Sequence, residues 1–191
     1  MLSEYLKSKG FTEFEGNCSQ LPKQVRELTL MTCKPNLKIM EIGFNAGHSA
    51  EVFLSNGCHS LISFDLCSTD YVLVAKKYID EKYPGKHVLI KGDSRETLPM
   101  FISLNPDIRF DVIFIDGGHD YEVVKSDLEN CLKLSDSSTL IIVDDVVSGD
   151  PHYQWTIGPT MVCLQAAIHE KIQVIGISDY APGRGMMWCR C

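Results

Sequence analysis

Short apolar runs alternate with amphipathic stretches along the chain from Lys38 onward. Nearly every position of each run is Ile, Val, Leu or Phe, which is typical of strands that are buried on both faces. The predicted strands are Lys38 to Ile42, Ser60 to Asp65, His87 to Lys91, Asp111 to Ile115, Thr139 to Val143 and Gln173 to Ile177. Helical spacing between them predicts helices at Ser49 to Ser55, Asp70 to Tyr83, Thr97 to Leu104, Glu122 to Leu134 and Pro159 to Glu170. This alternation predicts an α/β fold with a doubly wound, mostly parallel sheet and helices on both faces.

The two ends of the chain add elements to this core. Before Lys38, apolar residues recur at helical spacing at Leu21, Val25, Leu28 and Met31. We expect this segment to be helical and to cover one edge of the sheet. Gly158 and Pro159 together are a first-turn signal for the last predicted helix. After Tyr180 the residues APGRG predict a turn, and GMMWCRC is predicted to return as a final strand.

Composition limits the class of protein. The 191 residues, 45% of them hydrophobic, fit one domain of ordinary size with one sizeable core. The formal charge is -7 and the basic residues are scattered, so we expect small substrates and no nucleic acid. No apolar run approaches the roughly 20 residues of a membrane-spanning helix, and the start of the chain is too polar for a secretory signal. A cytoplasmic protein without a membrane partner is expected.

The eight cysteines fit that compartment. Most of them stand alone inside apolar segments, as Cys33, Cys58, Cys67, Cys131 and Cys163 do. We expect reduced and mostly buried thiols rather than a disulfide framework. Cys189 and Cys191 are close in sequence but lack the paired spacing of a zinc site.

Acidic residues follow five predicted strands in succession. They are Glu41 before GFNAGHS, Asp65, Asp93 before Ser94, Asp116 in DGGH, and the pair Asp144 and Asp145. Any one of them is explained equally well as turn polarity. Ligands of open α/β sheets, however, bind at the carboxyl ends of the strands, and the recurrence at this edge predicts a site there.

The glycine turn after the first strand points to a particular kind of ligand. Gly43 and Gly47 permit a tight turn and a close approach of a ligand to the backbone. The pattern G-x-G-x-x-G of a dinucleotide site cannot be completed here, which argues against a nicotinamide dehydrogenase. The carboxylate of Glu41 beside the turn suits a cation better than a phosphate.

The run EIGFNAGHS with Asp65 after the next strand resembles the first two motifs of the class I S-adenosylmethionine-dependent methyltransferases. The resemblance implies a single Rossmann-like methyltransferase domain over residues 1–191, with a helical cover at 1–37, a core at 38–191 and an antiparallel last strand. It also implies that Asp65 accepts hydrogen bonds from the ribose hydroxyls of the cofactor. The residues that it places around S-adenosylmethionine are Glu41, Gly43, Asn45, Gly47, Ser49, Asp65, Asp93, Ser94 and Asp116.

The stretch from Phe114 to Val147 resembles the metal-assisted O-methyltransferases, both catechol-type enzymes and those that methylate sugars and macrolide-attached sugars. The DGGHDY turn is closer to the sugar-type enzymes. This resemblance implies that Asp116, Asp144 and Asp145 hold a divalent cation, with magnesium favoured because the ligands are carboxylates. Asp116 and His119 are the predicted catalytic residues.

Methyl transfer from a sulfonium needs an oxygen nucleophile in line with the methyl group, and a neutral hydroxyl is a poor nucleophile. A hard divalent cation stabilises charge on that oxygen. His119 is interpreted as the base that takes the hydroxyl proton, or alternatively as a cap of the helix near Glu122. Aromatic residues in the segment Pro151 to Trp155 either stack on a sugar ring or cover the site.

The predicted function is a metal-assisted O-methyltransferase for a small hydroxylated molecule, with a sugar or nucleotide sugar favoured. Two alternatives remain: a metal-independent N- or carboxyl-methyltransferase, and a non-catalytic S-adenosylmethionine-binding module. Since the chain lacks a large cap domain, we also consider a homodimer in which a second subunit completes the acceptor site.

Overall fold

The computed structural model describes residues 1–149 and 153–191. Residue contacts group the chain into two compact units, Met1–Asp93 and Ser94–Cys191, and each is described by itself. The expectation of a single domain stays a prediction.

The first unit contains three parallel strands and the helices that cover them. Its strands are β1 (Lys38–Ile42), β2 (Ser60–Asp65) and β3 (His87–Lys91), in the order β3-β2-β1. Its helices are α1 (Leu2–Ser8), a 3₁₀ turn (Cys18–Gln20), α2 (Pro22–Met31), α3 (His48–Ser55) and α4 (Asp70–Lys82). All three strands have the predicted bounds. Ile39, Leu61 and Phe64 are fully buried, as expected for strands with two covered faces.

The amino-terminal segment is helical, as predicted. Helix α1 packs against α3 and α4, and α2 packs against α3. The expected cover over one edge of the sheet stays a prediction. Leu2 and Leu6 are fully buried, and Leu28 is the buried apolar residue of α2. Leu2 and Leu6 are four residues apart, which is a helical spacing, although the surrounding residues are polar.

The second unit contains a mixed set of strands. Its strands are β4 (Val112–Ile115), β5 (Leu140–Asp144), β6 (Gln173–Ala181) and β7 (Arg184–Arg190), in the order β4-β5-β7-β6. Strands β4 and β5 are parallel, whereas β7 is antiparallel to both β5 and β6. The prediction that GMMWCRC returns as the last strand is confirmed. Its helices are α5 (Ser94–Leu104), α6 (Tyr121–Lys133) and α7 (Gln154–Ile168).

The predicted start of the last helix is wrong. Helix α7 begins at Gln154 and contains Pro159 in its interior. Proline removes a hydrogen-bond donor from a helix, which is why the sequence indicated a start at this residue. Gly158 has a packing role, since a Cβ there would overlap the carbonyl oxygen of His119 and lie 3.0 Å from Tyr121 N. Of the predicted aromatic segment, Pro151 and His152 lie outside the described residues.

The expectation of mostly buried thiols is confirmed, since five of the eight cysteines are buried: Cys18, Cys58, Cys131, Cys163 and Cys189. Of those named from the sequence, however, Cys33 is exposed and Cys67 is only half-buried. Burial raises the pKa of the Cys58 thiol to about 11, so this side chain behaves as a small apolar group. Within residues 1–149 and 153–191, no helix combines the length and the apolar character that crossing a bilayer requires.

Candidate functional site

The glycine turn follows β1 in the first unit and has an unusual backbone. Gly43, Asn45 and Gly47 have φ values of 94°, 47° and 76°. Asparagine is one of the few residues with a side chain that adopt this left-handed region readily. A Cβ on Gly47 would lie 2.9 Å from Phe44 Cζ, so glycine is required there both by conformation and by space. The turn leads directly into α3, which begins at His48.

Asp65, the last residue of β2, is hydrogen-bonded to this turn. Its Oδ2 accepts a hydrogen bond from Asn45 N at 2.8 Å, and its Oδ1 accepts one from Cys67 N at 2.6 Å. A carboxylate oxygen has two lone-pair directions, so each oxygen can still accept a bond from a ligand hydroxyl. The structure therefore brings the predicted ribose ligand and the predicted cofactor turn together.

Glu41 lies in the protein interior rather than on the surface of the turn. Its side chain is fully buried, and it accepts hydrogen bonds from Ser49 Oγ at 2.8 Å and Ser63 Oγ at 2.6 Å. Burial raises the pKa of this carboxyl to about 7, although the two hydroxyls partly offset the effect. Glu41 and Ser49 are thus hydrogen-bonded to each other. Whether either of them contacts the cofactor stays a prediction.

A histidine that sequence reasoning missed extends this buried network. His87 Nε2 lies 2.7 Å from Ser63 Oγ, and the His87 ring stacks on Phe44 with 4.9 Å between centroids. Burial lowers the pKa of His87 to about 4, so the imidazole is neutral at physiological pH. The available signal was a polar residue in each of two apolar strands, Ser63 within β2 and His87 at the start of β3.

Replacing Glu41 by Gln should change the pH dependence of stability. The pKa of Glu41 rises from the ordinary 4.5 to about 7 in the folded protein, so the folded state holds a proton that the unfolded chain releases between those values. The free energy of unfolding therefore falls as pH rises through this window, by roughly 3 kcal/mol at ~1.4 kcal/mol per pKa unit. Glu41→Gln should lack this loss and gain relative stability between pH 4.5 and pH 8 in urea titrations.

The exposed residue Glu81 provides the matched control for that measurement, because Glu81→Gln removes a carboxylate from the surface of α4. We expect the control to follow the wild-type pH profile. A Glu41→Gln protein that loses stability in parallel with wild type would contradict a raised pKa at Glu41.

Two other predicted cofactor residues are adjacent in sequence: Asp93 is the last residue of the first unit and Ser94 is the first residue of the second. Asp93 is half-buried and follows β3, whereas Ser94 is the first residue of α5. Their contact with the adenine stays a prediction. His48, which lies inside the glycine motif, is buried, with its Nε2 2.9 Å from Ser3 Oγ and its ring edge-on to Phe14. These contacts show that His48 packs against the amino-terminal segment.

The amino-terminal segment also contacts the glycine turn. Asn45 Nδ2 donates a hydrogen bond to the Glu15 carbonyl at 2.5 Å, and a Cβ on Gly16 would lie 3.7 Å from the same nitrogen. Phe14 packs edge-on against Tyr71 of α4. Residues 14–16 therefore lie beside the predicted cofactor loop.

In the second unit, Asp116, His119 and Asp145 come together. One ligand atom from each of them lies within 4.8 Å of the other two. His119 Nε2 is 3.0 Å from Asp145 Oδ2, and the Asp145 side chain is only 13% exposed. Asp116 follows β4 and Asp145 follows β5, so the parallel pairing of these strands brings the two acids to one edge. Helix α6 has Asp120 at its N-cap position without a side-chain cap hydrogen bond, and His119 immediately precedes it, so the alternative interpretation of His119 as a cap stays open.

Asp144 is not a member of this group among the described residues. It is 5% exposed, and its Oδ1 accepts hydrogen bonds from Asp145 N at 2.9 Å and from the Tyr180 hydroxyl at 2.8 Å. Burial and the nearby acids raise the pKa of Tyr180, so its hydroxyl stays protonated and can donate. No local sequence pattern indicated Tyr180, which reaches Asp144 from a distant strand.

The donor set fits a divalent cation. The two carboxylates are ligands that suit magnesium and manganese, whereas an imidazole is more typical of transition-metal sites. A cavity of about 210 Å³ adjoins the group, and its lining combines polar and apolar side chains: His119, Asp120, Tyr121, Gln154, Ile157, Gly158 and Met161. Tyr153 and Trp155 stack on each other with 4.3 Å between centroids and do not line this cavity.

Comparison with known proteins places these observations in context. A family described as "Methyltransferase domain" matches residues 40–146, which is more than half of the chain. No match is found among curated proteins.

Several solved structures have a similar fold. An O-methyltransferase from Bacillus cereus in complex with SAH has a TM-score of 0.72 and 18% identity, covering 100% of this chain and 90% of its own. TomG, an O-methyltransferase of tomaymycin synthesis from Streptomyces achromogenes, in complex with SAM, has a TM-score of 0.74 and 16% identity, with 99% and 86% covered. CalS11, a TDP-rhamnose 3'-O-methyltransferase of calicheamicin biosynthesis, has a TM-score of 0.66 and 18% identity, with 90% and 78% covered.

Such identities show the fold alone. They confirm the predicted fold class, a doubly wound, mostly parallel Rossmann-like sheet with helices on both faces and an antiparallel last strand.

Proposed function

Because the chain belongs to the methyltransferase domain family, we propose that it transfers a methyl group from S-adenosylmethionine to a hydroxyl of a small molecule, assisted by a divalent cation. The observation that supports metal assistance is the pair of carboxylates Asp116 and Asp145, which have oxygens within 4.8 Å of each other and of a ring nitrogen of His119. Each residue of this proposal is assigned to one of two tasks: holding the methyl donor or activating the acceptor.

The first unit is assigned the methyl donor. The turn is left-handed at Gly43, Asn45 and Gly47, and Asp65 is held against it by the hydrogen bond from Asn45 N. The remaining lone pairs of the Asp65 carboxylate suit a pair of ribose hydroxyls. Glu41 accepts a hydrogen bond from Ser49, which lies in the first turn of α3 directly after the glycine turn.

The second unit is assigned the acceptor. Asp116 and Asp145 would hold the cation, which, when bound, stabilises negative charge on the acceptor oxygen. His119 takes the hydroxyl proton. Its Nε2 faces Asp145 Oδ2, so in the neutral ring Nε2 donates and Nδ1 has the lone pair that accepts the proton. Asp145 then stabilises the imidazolium that forms.

A sugar is the favoured acceptor. The cavity beside His119 holds about 210 Å³ and presents both polar groups and the apolar side chains of Ile157 and Met161, which matches the mixed surface of a sugar ring. CalS11, a protein of the same fold, is a TDP-rhamnose 3'-O-methyltransferase, which supports the same class. A homodimer stays a prediction that sedimentation would test.

The proposed function is tested by a methyl-transfer screen with labelled S-adenosylmethionine. Nucleotide sugars, glycosides and catechols would be supplied as acceptors to chelator-treated enzyme, with and without added Mg²⁺ or Mn²⁺. We expect transfer to a hydroxylated acceptor only when the cation is restored. Full activity in chelator would favour the metal-independent alternative, and cofactor binding without transfer to any acceptor would favour the non-catalytic module.

Asp65→Ala should weaken S-adenosylmethionine binding roughly 10- to 150-fold, the equivalent of losing one charged hydrogen bond worth ~1.5 to 3 kcal/mol. The mutation also removes the acceptor for Asn45 N and so loosens the turn. Calorimetric titration of the folded variant measures the change. Asp80→Ala, which removes an exposed carboxylate paired with Lys76 on α4, should bind the cofactor like wild type. Normal affinity in Asp65→Ala would rule out its role as the ribose ligand.

A further inference from the structure

Asp144 Oδ1 lies between two donors that come from different parts of the second unit. One is the backbone N–H of its neighbour Asp145, at 2.9 Å, and the other is the hydroxyl of Tyr180, at 2.8 Å. With 5% exposure, Asp144 is almost completely enclosed. One oxygen of its carboxylate therefore links the backbone of Asp145 to the side chain of Tyr180.

The first of these bonds bears on the backbone of Asp145. Its φ of 56° lies in the left-handed region, which is costly for a residue with a side chain and persists only where the surroundings impose it. The Asp144 carboxylate accepts from Asp145 N in this conformation, while Asp145 Oδ2 lies 3.0 Å from His119 Nε2. The orientation of Asp145 toward His119 thus depends on where Asp144 is held.

The second bond comes from an irregularity in the hairpin of β6 and β7. Asp179 pairs with Gly185 and Ala181 pairs with Arg184, so Tyr180 is an extra residue without a partner on β7. Such a bulge re-aims a side chain and is common beside active sites. Here the Tyr180 hydroxyl reaches past β7 to Asp144, the last residue of β5.

The same bulge also holds the loop that follows β5. Asp179 Oδ1 accepts from Ser148 N at 3.0 Å, and its Oδ2 accepts from Ser148 Oγ at 2.6 Å. A Cβ on Gly185 would lie 2.5 Å from the Val146 carbonyl oxygen, so the hairpin backbone is packed closely against this loop. The segment from Asp144 to Ser148 is therefore fixed at both of its ends by adjacent residues of β6.

We propose that Tyr180 is a positioning residue for the cation site: its hydroxyl holds Asp144, and Asp144 holds Asp145 in the left-handed conformation that directs the Asp145 carboxylate toward Asp116 and His119. In this assignment Asp144 acts through Asp145 and is not itself a ligand. The proposal rests on the proposed cation dependence, and it adds the hairpin of β6 and β7 to the machinery of acceptor activation.

The test measures Mn²⁺ binding by calorimetry and by electron paramagnetic resonance, neither of which needs a known acceptor. Tyr180→Phe removes only the hydroxyl and should weaken Mn²⁺ binding roughly 10- to 100-fold, the range for an outer-shell partner, with S-adenosylmethionine affinity within about twofold. Tyr78→Phe is the matched control, because it removes a tyrosine hydroxyl that donates to the Glu51 carboxylate in the first unit. It should bind Mn²⁺ like wild type.

Asp144→Asn separates positioning from ligation. An asparagine Oδ1 accepts the same two hydrogen bonds without the charge, so a positioning residue should retain Mn²⁺ affinity within about fivefold, whereas a ligand should lose it as fully as Asp145→Asn. Unchanged Mn²⁺ affinity in Tyr180→Phe, or complete loss in Asp144→Asn, would overturn the proposal while leaving the cation dependence intact. A wild-type protein that binds no Mn²⁺ would overturn the cation dependence and this proposal with it.

Discussion

Asp116→Asn should abolish cation-dependent methyl transfer and weaken Mn²⁺ binding by roughly 100-fold or more, a larger effect than an outer-shell change produces. Asp116 supplies one of the two carboxylates in the group with His119, and asparagine has the same size without the charge that a hard cation requires. The affinity for S-adenosylmethionine should stay within about threefold, because the glycine turn and Asp65 belong to the other unit and the asparagine oxygen still accepts hydrogen bonds.

The effect of Asp116→Asn is measured by titrating Mn²⁺ and S-adenosylmethionine separately and by following labelled methyl transfer. Asp107→Asn, at an exposed position before β4, is the matched control and should behave like wild type. His119→Ala distinguishes the base from a ligand: as the base it should lower turnover by about 10²- to 10⁴-fold with Mn²⁺ affinity nearly retained. Full turnover by Asp116→Asn would show that the acids after β4 and β5 are turn residues.

Much of the fold was predictable because apolar periodicity reflects burial. β1, β2 and β3 have the predicted bounds, since each is an apolar run ended by polar or turn residues. The start of α7 was wrong because Pro159 outweighed the apolar residues before it in a local interpretation. Around Gly158, α7 packs against the turn that contains His119. A local sequence pattern does not report such a tertiary contact.

The site was predictable to the extent that strand order controls it. Parallel strands bring their carboxyl ends to one edge, so the sequence predicts that Asp116, Asp144 and Asp145 lie together, and the structure groups Asp116 and Asp145 with His119. What burial does to each carboxylate was not predictable. Glu41 is enclosed by Ser49 and Ser63, and the bulge that turns Tyr180 toward Asp144 has no local signature in the sequence.

Gly158 lies at the contact between α7 and the DGGHDY turn. A Cβ at this position would overlap the carbonyl oxygen of His119 and approach Tyr121 N to 3.0 Å, and both are backbone atoms that cannot rotate away. Besides this packing, the hydroxyl of Tyr121 donates a hydrogen bond to Gln165 Oε1 of α7. The helix and the turn therefore cannot separate without breaking other contacts.

Gly158→Ala should consequently destabilise the protein by about 1 to 3 kcal/mol or more, the usual cost of overpacking, and lower Mn²⁺ affinity by displacing His119 and its partner Asp145. The sign is informative, because helix propensity alone would make alanine stabilising by about 1 kcal/mol. Urea unfolding compares the variant with wild type and with Gly149→Ala, whose new Cβ would meet no atom of residues 1–149 and 153–191 within 4 Å and which should be nearly neutral. If Gly158→Ala matched or exceeded the wild-type free energy of unfolding, α7 would not pack against the turn, and the cavity beside His119 would not have the walls assigned to it.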